Sequence, residues 1–319
     1  MQERKSLKRP KRVYTLVGCA IVTAVMVISG CSATTPRSAS YAGYINSALA
    51  VLDENGLYRG SSEWRNELAT ARKRAADIDS RTAAYSLLHI AVAIAGGAHS
   101  VFLTPADVTA SQGATGETKL PWVETQDGIN VLRLPPLVAA EGTPDAIAYS
   151  SAGRDAILAN KAKAPCGWVI DLSSNSGGNG IAMLRAIAPL LDSPRALGFL
   201  YPDGRRSWLP QAEMNEGVVR PIAILVSNMT RSAAELVLAA FDKQANTVRV
   251  GQPSAGMTTS NQIFPLDDGA EMVLSTAWFL NREGEKLDGP FAPDIEVPRG
   301  DPQARLIAAT DWVRDSCSD

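Results

Sequence analysis

The sequence is poor in several residue types, and each shortage excludes a class of protein. Aromatic residues make up 6% of its 319 residues, too few for the stacking surfaces that bind nucleic-acid bases. The formal net charge is -2, so the chain lacks the basic footprint of a nucleic-acid-binding protein. There is a single long apolar run, which excludes a multi-span membrane protein. We therefore expect no nucleic-acid partner.

Histidine is also scarce, which argues against a metal enzyme. The two histidines, His89 and His99, lack the spacing of zinc ligands, and neither an HExxH nor a CxxC motif occurs. We expect no metal ion and no other cofactor. The apolar content of 45% and the charged content of 20% are those of an ordinary globular protein, which excludes disorder over the whole chain.

The N-terminus has the order of features found in an export signal. Six basic residues stand among the first twelve, an apolar run covers Val13–Val27, and the stretch ends in Ile28-Ser-Gly-Cys31. This order predicts a signal peptide over residues 1–30. The ending resembles the lipobox of bacterial lipoproteins, in which Cys31 is acylated, and residues 31–40 then form a tether. We expect a lipid-anchored protein at the cell membrane, with its body outside the cytoplasm.

An uncleaved anchor helix is the alternative interpretation of the same apolar run, because its length is near that of a membrane span. Both interpretations place the body outside the cytoplasm, where disulfides form. Cys166 and Cys317 remain in the mature chain. A disulfide between them and two separate buried thiols fit the sequence equally well.

The mature chain divides into two regions that differ in the spacing of their apolar residues. Apolar residues at helical spacing predict an N-terminal helical region over residues 41–110. From about Asp127, short apolar runs alternate with helical patterns, as in the βαβ units of a sheet with parallel strands, and we assign the α/β core to residues 111–319. The predicted strands are Asn130–Leu134, Gly167–Leu172, Pro221–Ser227, Thr247–Val250 and Glu271–Ser275. The predicted helices are Asp145–Asn160, Ile181–Leu191, Ser232–Gln244 and Pro302–Val313.

The turn before the helix at Ser232 has the features of a nucleophile site. Ser232 stands at a predicted helix N-terminus, where free N–H groups and the helix dipole favour negative charge, and the amide of Ala233 would face that charge. A purely structural alternative fits the same residues. Ser232 and Glu235 match a capping box, in which the two side chains satisfy backbone amides.

A second strand-to-helix turn, Ser173–Asn179, contains the double glycine Gly177-Gly178. Glycines there allow backbone amides to approach a ligand closely. If the two strands are parallel, this turn and Ser232 emerge at the same edge of the sheet and place oxyanion donors beside a nucleophile. The alternative is a simple turn anchored by Asp171.

A nucleophilic serine needs a base, and the chain offers two histidines. His89 lies inside an apolar helical stretch and is interpreted as a core or surface residue. His99 follows a Gly-Gly-Ala sequence at a helix end, on an exposed turn. We therefore select His99.

Taken in order, these segments resemble the motifs of the S41 serine peptidases, the tail-specific or C-terminal processing proteases. The matching segments are Gly96–Phe102, Val169–Asn179, Thr230–Glu235, Gly251–Gly256, Leu266–Gly269 and Pro293–Val297. The resemblance implies a crotonase/ClpP-like α/β peptidase core with an N-terminal helical subdomain. It also implies a peptide or protein C-terminal region as substrate.

The resemblance also implies roles for individual residues. Ser232 would be the nucleophile, and the amides of Ala233 and Gly178, with Gly177 as a further candidate, would form the oxyanion hole. The best-known branch of the family uses a lysine where this chain has Met257, so a Ser–Lys pair is excluded at that position. The chain also has no room for a PDZ domain between His99 and the strand at Asn130.

These departures indicate a branch without the PDZ domain, similar to the nisin resistance protein, in which a histidine serves as base. His99 matches that histidine. Glu235 is a third catalytic candidate, which would orient the imidazole or bind a substrate terminus. Asn179 and Gln262 are candidates for contact with the peptide backbone.

The sequence thus predicts an extracytoplasmic serine peptidase with a Ser–His mechanism. A catalytically inactive peptide-binding lipoprotein on the same scaffold is the alternative, because the family lysine is missing and Ser173 replaces an arginine common in the family.

Overall fold

The computed structural model describes residues 40–113, 117–160, 162, 166–209 and 220–317. The predicted signal peptide and the lipidation residue Cys31 lie outside these ranges. Contacts between residues place Ala39–Asp319 in one compact unit. Within the described ranges, none of the helices combines the length and apolar character needed to cross a membrane.

Three helices form the N-terminal part of the described chain, as the helical periodicity predicts. They are α1 (Tyr41–Asn55), α2 (Ser62–Ala75) and α3 (Arg81–Gly96). Each begins after a serine whose side chain accepts a hydrogen bond from a backbone N–H of the first turn. Trp64, Leu49 and Leu88 are among the side chains buried between them.

The central sheet has six strands, in the order β11-β8-β7-β4-β3-β2. The strands are β2 (Trp122–Gln126), β3 (Ile129–Arg133), β4 (Gly167–Asp171), β7 (Ile222–Val226), β8 (Thr247–Gly251) and β11 (Ile295–Glu296). All neighbours are parallel except the β2–β3 hairpin. The parallel strands and their connecting helices confirm the predicted α/β class.

Helices cover both faces of this sheet, as parallel strands require. The helices that follow the strands are α5 (Pro144–Asn160), α6 (Gly180–Ile187), α7 (Ala233–Phe241) and the terminal α8 (Pro302–Cys317). A 3₁₀ turn, Ala188–Leu190, extends α6. One core lies between the sheet and α5, α6 and α7, and a second lies under α8. A disulfide joins Cys166 to Cys317 and so ties the start of β4 to the end of α8.

A second, antiparallel sheet is the part of the fold that the sequence patterns predicted least, since only Glu271–Ser275, at the start of its longest strand, was among the predicted strands. Its strands are β1 (Val101–Leu103), β5 (Gly198–Leu200), β6 (Arg206–Trp208), β9 (Thr259–Pro265) and β10 (Glu271–Leu280). A short helix, α4 (Pro105–Gly113), follows β1. The long strand β10 pairs with β1 and β5 on one side and with β9 on the other. Because β1 belongs to residues 41–110, this sheet joins the helical region to the core.

Candidate active site

Ser232 lies at a sharp turn between β7 and α7. Its backbone has φ 54° and ψ -116°, a region that non-glycine residues rarely occupy. A serine on a strained strand-to-helix turn is the geometry of a nucleophile elbow. Such strain costs about 1–3 kcal/mol and persists where the surrounding structure holds it in place.

Hydrogen bonds donated to the segment that follows β4 hold this turn. The Thr230 hydroxyl donates to the carbonyl of Leu172 at 2.8 Å, and the Ser227 hydroxyl donates to the carbonyl of Ser173 at 2.6 Å. The amide of Arg231 donates to the carbonyl of Asn175 at 3.3 Å. The Ser232 turn and the glycine turn are therefore bonded to each other at the carboxyl edge of the sheet, where the sequence places them.

The double glycine fits between two backbone segments. A Cβ on Gly178 would lie 1.9 Å from the carbonyl oxygen of Leu137, and a Cβ on Gly177 would lie 3.0 Å from Cβ of Ser232. Both glycines have positive φ, 97° at Gly177 and 118° at Gly178. No other residue fits at Gly178, so the close approach that the sequence predicts requires glycine here.

The free amides at this point are those of Gly178 and Ala233. Within the described residues, neither N–H donates a hydrogen bond to the protein. The amide of Gly177, in contrast, donates to Oδ1 of Asn175 at 2.8 Å. That bond corrects the candidacy of Gly177 as an oxyanion donor, because its hydrogen is already engaged. Gly178 and Ala233 are left as the two candidate donors.

Glu235 is fully buried, and its carboxylate ties the Ser232 turn to the loop before β9. Oε2 accepts hydrogen bonds from the amides of Ser232 at 3.0 Å and Met257 at 2.7 Å. Oε1 accepts from the Ser254 hydroxyl at 2.5 Å and from the Gly256 amide at 2.6 Å. Burial raises the pKa of Glu235, and these four hydrogen bonds oppose the shift.

This arrangement differs from the expected place of Glu235 beside the imidazole. The carboxylate makes the backbone contact of the predicted capping box and extends it to a second loop. Its two oxygens are occupied by four donors from this chain, so it acts as a positioning group for the elbow.

His99 lies in the turn between α3 and β1, half-buried. Gly97, with φ 82°, ends α3, and its amide donates to the carbonyl of Ala93. The Nδ1 atom of the His99 ring lies 2.8 Å from the hydroxyl oxygen of Thr259. Burial lowers the pKa of the His99 imidazole, and a hydrogen bond with the backbone of Thr259 acts in the opposite direction. The other histidine, His89, is exposed on α3 with its ring against Phe102.

One loop, residues 254–257, connects the surroundings of Ser232 to those of His99. Glu235 binds the Ser232 amide and residues 254, 256 and 257, and Thr259, two residues further along, contacts the His99 ring. Among the described residues, no hydrogen bond joins Ser232 Oγ to the imidazole. The ring instead holds Thr259.

The remaining candidates separate into engaged and free side chains. Asn179 caps α6 by accepting from the Ala182 amide, and its NH₂ group donates to the carbonyl of Ala139 at 3.0 Å. These bonds use one hydrogen of its NH₂ group and one lone pair of its amide oxygen, so its contact with substrate stays a prediction. Gln262 is exposed on β9 and free to meet a peptide. The Ser100 hydroxyl accepts from the amide of Ser275 and thereby fixes the histidine turn to β10.

A cleft of about 760 Å³ opens beside the glycine turn. Its wall includes Leu137, whose backbone brackets Gly178, and the exposed side chains of Trp122 and Val138. The buried side chain of Asn175 also lines it. Across the described ranges, no group of three His, Cys, Asp or Glu side chains is placed to hold a metal ion.

Residues 147–297 match the model of peptidase family S41. This stretch of the chain is similar to a peptidase family S41 domain. The matched range includes the glycine turn, Ser232, Glu235 and Thr259, while His99 precedes it. The resemblance to the S41 family, which the ordered motifs indicate, is therefore confirmed.

Relatives of the S41 domain include two named bacterial proteins. The nisin-resistance protein of Lactococcus lactis subsp. lactis is 25% identical over 289 residues, which cover 85% of this chain and 86% of that protein. The carboxy-terminal processing protease CtpA of Bacillus subtilis is 29% identical over 132 residues, 41% of this chain and 28% of CtpA. The first match extends over most of both chains, whereas the second is confined to part of each.

Solved structures show the same fold. A lipoprotein from Streptococcus agalactiae has a TM-score of 0.74 at 24% identity, over 90% of this chain and 99% of that one. The photosystem II D1 C-terminal processing protease has a TM-score of 0.62 at 14% identity, over 88% and 98%. These neighbours confirm the S41-like α/β core with its helical N-terminal region.

Proposed function

We propose that this protein is a serine peptidase that cleaves peptides, or C-terminal regions of proteins, by a Ser–His mechanism outside the cytoplasmic membrane. Ser232 is the nucleophile, His99 is the general base, and the amides of Gly178 and Ala233 form the oxyanion hole. The S41 domain and the processing protease among its relatives support a peptidase.

One observation carries the proposal: Ser232 occupies a strained elbow beside two amides that have no partner among the described residues. Strain at a single serine, fixed by hydrogen bonds from its turn to the segment after β4, is a feature of activated nucleophiles. Free N–H groups beside it supply the charge stabilisation that acyl transfer needs, because negative charge develops on the carbonyl oxygen.

The reaction proceeds in two balanced halves. Nε2 of His99 takes the proton of the Ser232 hydroxyl as Oγ bonds to the carbonyl carbon, and the carbonyl oxygen becomes an oxyanion held by Gly178 and Ala233. The imidazolium then gives its proton to the departing amine, which leaves an acyl-enzyme. Water, deprotonated by the same nitrogen, releases the acyl group and restores the serine.

The hydrogen bond between the Ser232 hydroxyl and the His99 imidazole forms in the complex with substrate. Catalytic hydrogen bonds are often long or absent in free enzymes and tighten when substrate binds. The loop of residues 254–257 is bonded to Glu235 beside Ser232, and it leads to Thr259, which contacts His99. A peptide that moves this loop therefore changes the separation of Ser232 and His99. The cleft beside Gly178 supplies an apolar wall for the peptide on the oxyanion side.

We further propose that the protein is held at the membrane by lipid on Cys31 and faces an oxidising compartment. The disulfide between Cys166 and Cys317 supports this location, since disulfides are rare in reducing cytosol. Loss of the mature protein from the membrane fraction in a Cys31→Ala variant would test the anchor. Retention of that variant in the membrane by its apolar run would favour the uncleaved anchor helix.

The decisive test combines labelling with turnover. Full-length protein in detergent is treated with a fluorophosphonate, which reacts with activated serines, and the labelled residue is identified by mass spectrometry. Cleavage of a peptide library is measured in parallel for Ser232→Ala and His99→Ala. We expect label on Ser232, a loss in kcat of about 10⁴-fold or more without Ser232, and about 10²–10⁴-fold without His99.

Matched controls come from the exposed face of α3. Ser86→Ala and His89→Ala remove the same side chains from positions remote in sequence from the elbow and the glycine turn. Both controls should keep wild-type turnover and labelling. Full activity in Ser232→Ala or His99→Ala would end the proposed mechanism.

A non-catalytic peptide-binding protein is the second candidate, favoured by the absence of a Ser232–His99 hydrogen bond among the described residues and by methionine at position 257. This candidate predicts peptide binding with no labelling of Ser232 and no cleavage of any peptide. Saturable binding measured by calorimetry in a protein that fails both activity assays would establish it.

A further inference from the structure

The His99 ring belongs to a closed circuit of four hydrogen bonds. Nδ1 lies 2.8 Å from Thr259 Oγ1, which lies 3.0 Å from Ser275 Oγ. Ser275 Oγ donates to Asn261 Oδ1 at 2.7 Å, and Asn261 Nδ2 donates to the backbone carbonyl of His99 at 2.9 Å. The circuit begins and ends on the same residue and has no charged member.

Strand pairing builds this circuit. Thr259 and Asn261 are two positions apart at the start of β9, so their side chains share one face of the strand. Asn261 stands opposite Ser275 on β10, and the register shifts just beyond, between Ser275 and Ala277. Such a bulge re-aims side chains. Ser275 is fully buried, whereas His99, Thr259 and Asn261 are half-buried, so the circuit runs from the partly exposed ring into the interior.

Asn261 determines the direction of the circuit. A backbone carbonyl can only accept, so the atom of Asn261 that faces the His99 carbonyl must be the amide nitrogen. Its amide oxygen therefore faces Ser275, and this oxygen can also only accept. The single hydroxyl hydrogen of Ser275 is consequently directed at Asn261.

The positions of the remaining hydrogens follow from the same count of donors and acceptors. Because the Ser275 hydrogen is used, its oxygen can only accept from Thr259, which uses the Thr259 hydrogen in turn. Thr259 Oγ1 must then accept from the imidazole, so Nδ1 carries a hydrogen. In a neutral ring the second nitrogen, Nε2, is therefore without a proton.

We propose that Thr259, Ser275 and Asn261 are positioning residues that hold neutral His99 in the Nδ1–H tautomer and present a bare Nε2 as the catalytic base. In Ser–His–Asp enzymes a buried carboxylate performs this task. Here three neutral side chains perform it. The catalytic meaning rests on the proposed peptidase function, whereas the tautomer itself follows from the circuit alone.

A carboxylate at this place would favour the imidazolium, while a neutral circuit selects the tautomer without adding negative charge beside the ring. The His99 pKa fits this difference, since burial lowers it. The structure thus assigns the choice of tautomer to hydroxyl and amide groups.

The tautomer is measured directly by two-bond ¹H–¹⁵N correlation spectra of the full-length ¹⁵N-labelled protein at a pH where the imidazole is neutral. The chain has two histidines, so a His89→Gln variant assigns the spectrum. We expect a pyrrole-type Nδ1 and a pyridine-type Nε2 for His99. The opposite pattern, with the hydrogen on Nε2, would overturn the proposal.

Two substitutions at Thr259 test the role of the hydroxyl. Thr259→Val keeps the shape of the side chain and removes the acceptor, while Thr259→Ser keeps the hydroxyl. We expect the valine variant to lose the pure Nδ1–H pattern and at least about tenfold in kcat, below the ~10⁴-fold loss caused by a wrong tautomer in Ser–His–Asp enzymes. The serine variant should restore both, and KM should change little in either. Thr82→Val, on the exposed face of α3, is the matched control.

The outcomes separate the two proposals. A valine variant with the wild-type tautomer and wild-type kcat would overturn the positioning role of Thr259. An Nδ1–H ring in a wild-type protein that cleaves no peptide would support the tautomer assignment and overturn the peptidase mechanism.

Discussion

The backbone N–H of Ser232 donates a 3.0 Å hydrogen bond to Oε2 of Glu235, three residues further along α7. The same oxygen accepts from the amide of Met257. One buried carboxylate thus fixes the nucleophile turn against the loop that leads to Thr259 and His99.

Replacing Glu235 by glutamine should weaken both the fold and the site. The glutamine NH₂ group would face donors at two of the four contacts, so buried amides of the elbow and the 254–257 loop would lose their acceptor. We expect a loss of about 1–3 kcal/mol in the free energy of unfolding, measured by urea denaturation, and a lower kcat. Glu63→Gln, an exposed change on α2, is the control. Wild-type stability and kcat in Glu235→Gln would contradict the linkage.

The pH dependence of cleavage should report the buried His99 ring. The imidazole must be neutral to accept a proton, and burial lowers its pKa below 6.5, so activity should persist to lower pH than with an exposed histidine. The acid limb of kcat/KM is expected to have its midpoint below 6.5. Circular dichroism at each pH separates protonation of the base from unfolding. A midpoint at or above 6.5 in folded protein would contradict this assignment.

Gly178→Ala should remove activity through the backbone. The added Cβ would meet the Leu137 carbonyl at 1.9 Å, and the positive φ of this residue disfavours alanine. The turn must shift, which moves the oxyanion amide, and loss of one such donor costs about 10²–10³-fold in kcat. Gly60→Ala meets no atom within 4 Å and is the control. Equal kcat in both variants would show that Gly178 donates nothing to the reaction.

The free energy of unfolding should depend on pH through the ionisation of Asp268. Burial alone would raise its pKa, but hydrogen bonds from Tyr85, the Ala270 amide and Tyr44, with the charge of Arg81, hold it below its usual value. A carboxylate with a lowered folded pKa stabilises the native state at neutral pH and loses this contribution as pH falls through that pKa.

Urea denaturation of Asp268→Asn tests this contribution. We expect the variant to be less stable than wild type by about 1–2 kcal/mol at neutral pH, with the difference shrinking in acid. Asp267→Asn changes the exposed neighbour and should leave the free energy of unfolding unchanged. A difference that stays constant across the acid range would assign the effect to packing rather than charge.

Sequence periodicity was sufficient for four of the six strands of the central sheet, β3, β4, β7 and β8, and for its helices, because these segments are buried on both faces or carry an apolar stripe. The two edge strands, β2 and β11, were not predicted. The predicted bounds of β4, β7 and α5 agree with the structure to within one residue. Of the antiparallel sheet, only the start of β10 was predicted, as the strand Glu271–Ser275. Strand β9 is half-exposed and β5 and β6 have three residues each, so neither alternation nor a long apolar run marks them.

The candidate site shows the same division. Ser232, His99 and the double glycine stand out locally, because a nucleophile at a helix start, a histidine on a glycine turn and a Gly-Gly pair are visible in a few adjacent residues. Thr259, Asn261 and Ser275 escaped notice, since ordinary polar residues gain their role only from a strand register. The period-two spacing of Thr259 and Asn261 on β9 was the one available signal.

By itself, the sequence determined which segments fold as buried strands and helices and which residues have the chemistry of acyl transfer, since those properties reside in periodicity and side-chain type. Only the tertiary structure decided how those groups are used. In the structure, the Gly177 backbone amide and the Asn179 side-chain amide have partners within the protein, and Cys166 is bonded to Cys317. The Glu235 carboxylate accepts from backbone amides, and four hydrogen bonds form the circuit that includes His99. Hydrogen bonds between distant segments make these choices, because each donor and acceptor is satisfied by whichever partner the fold brings within reach.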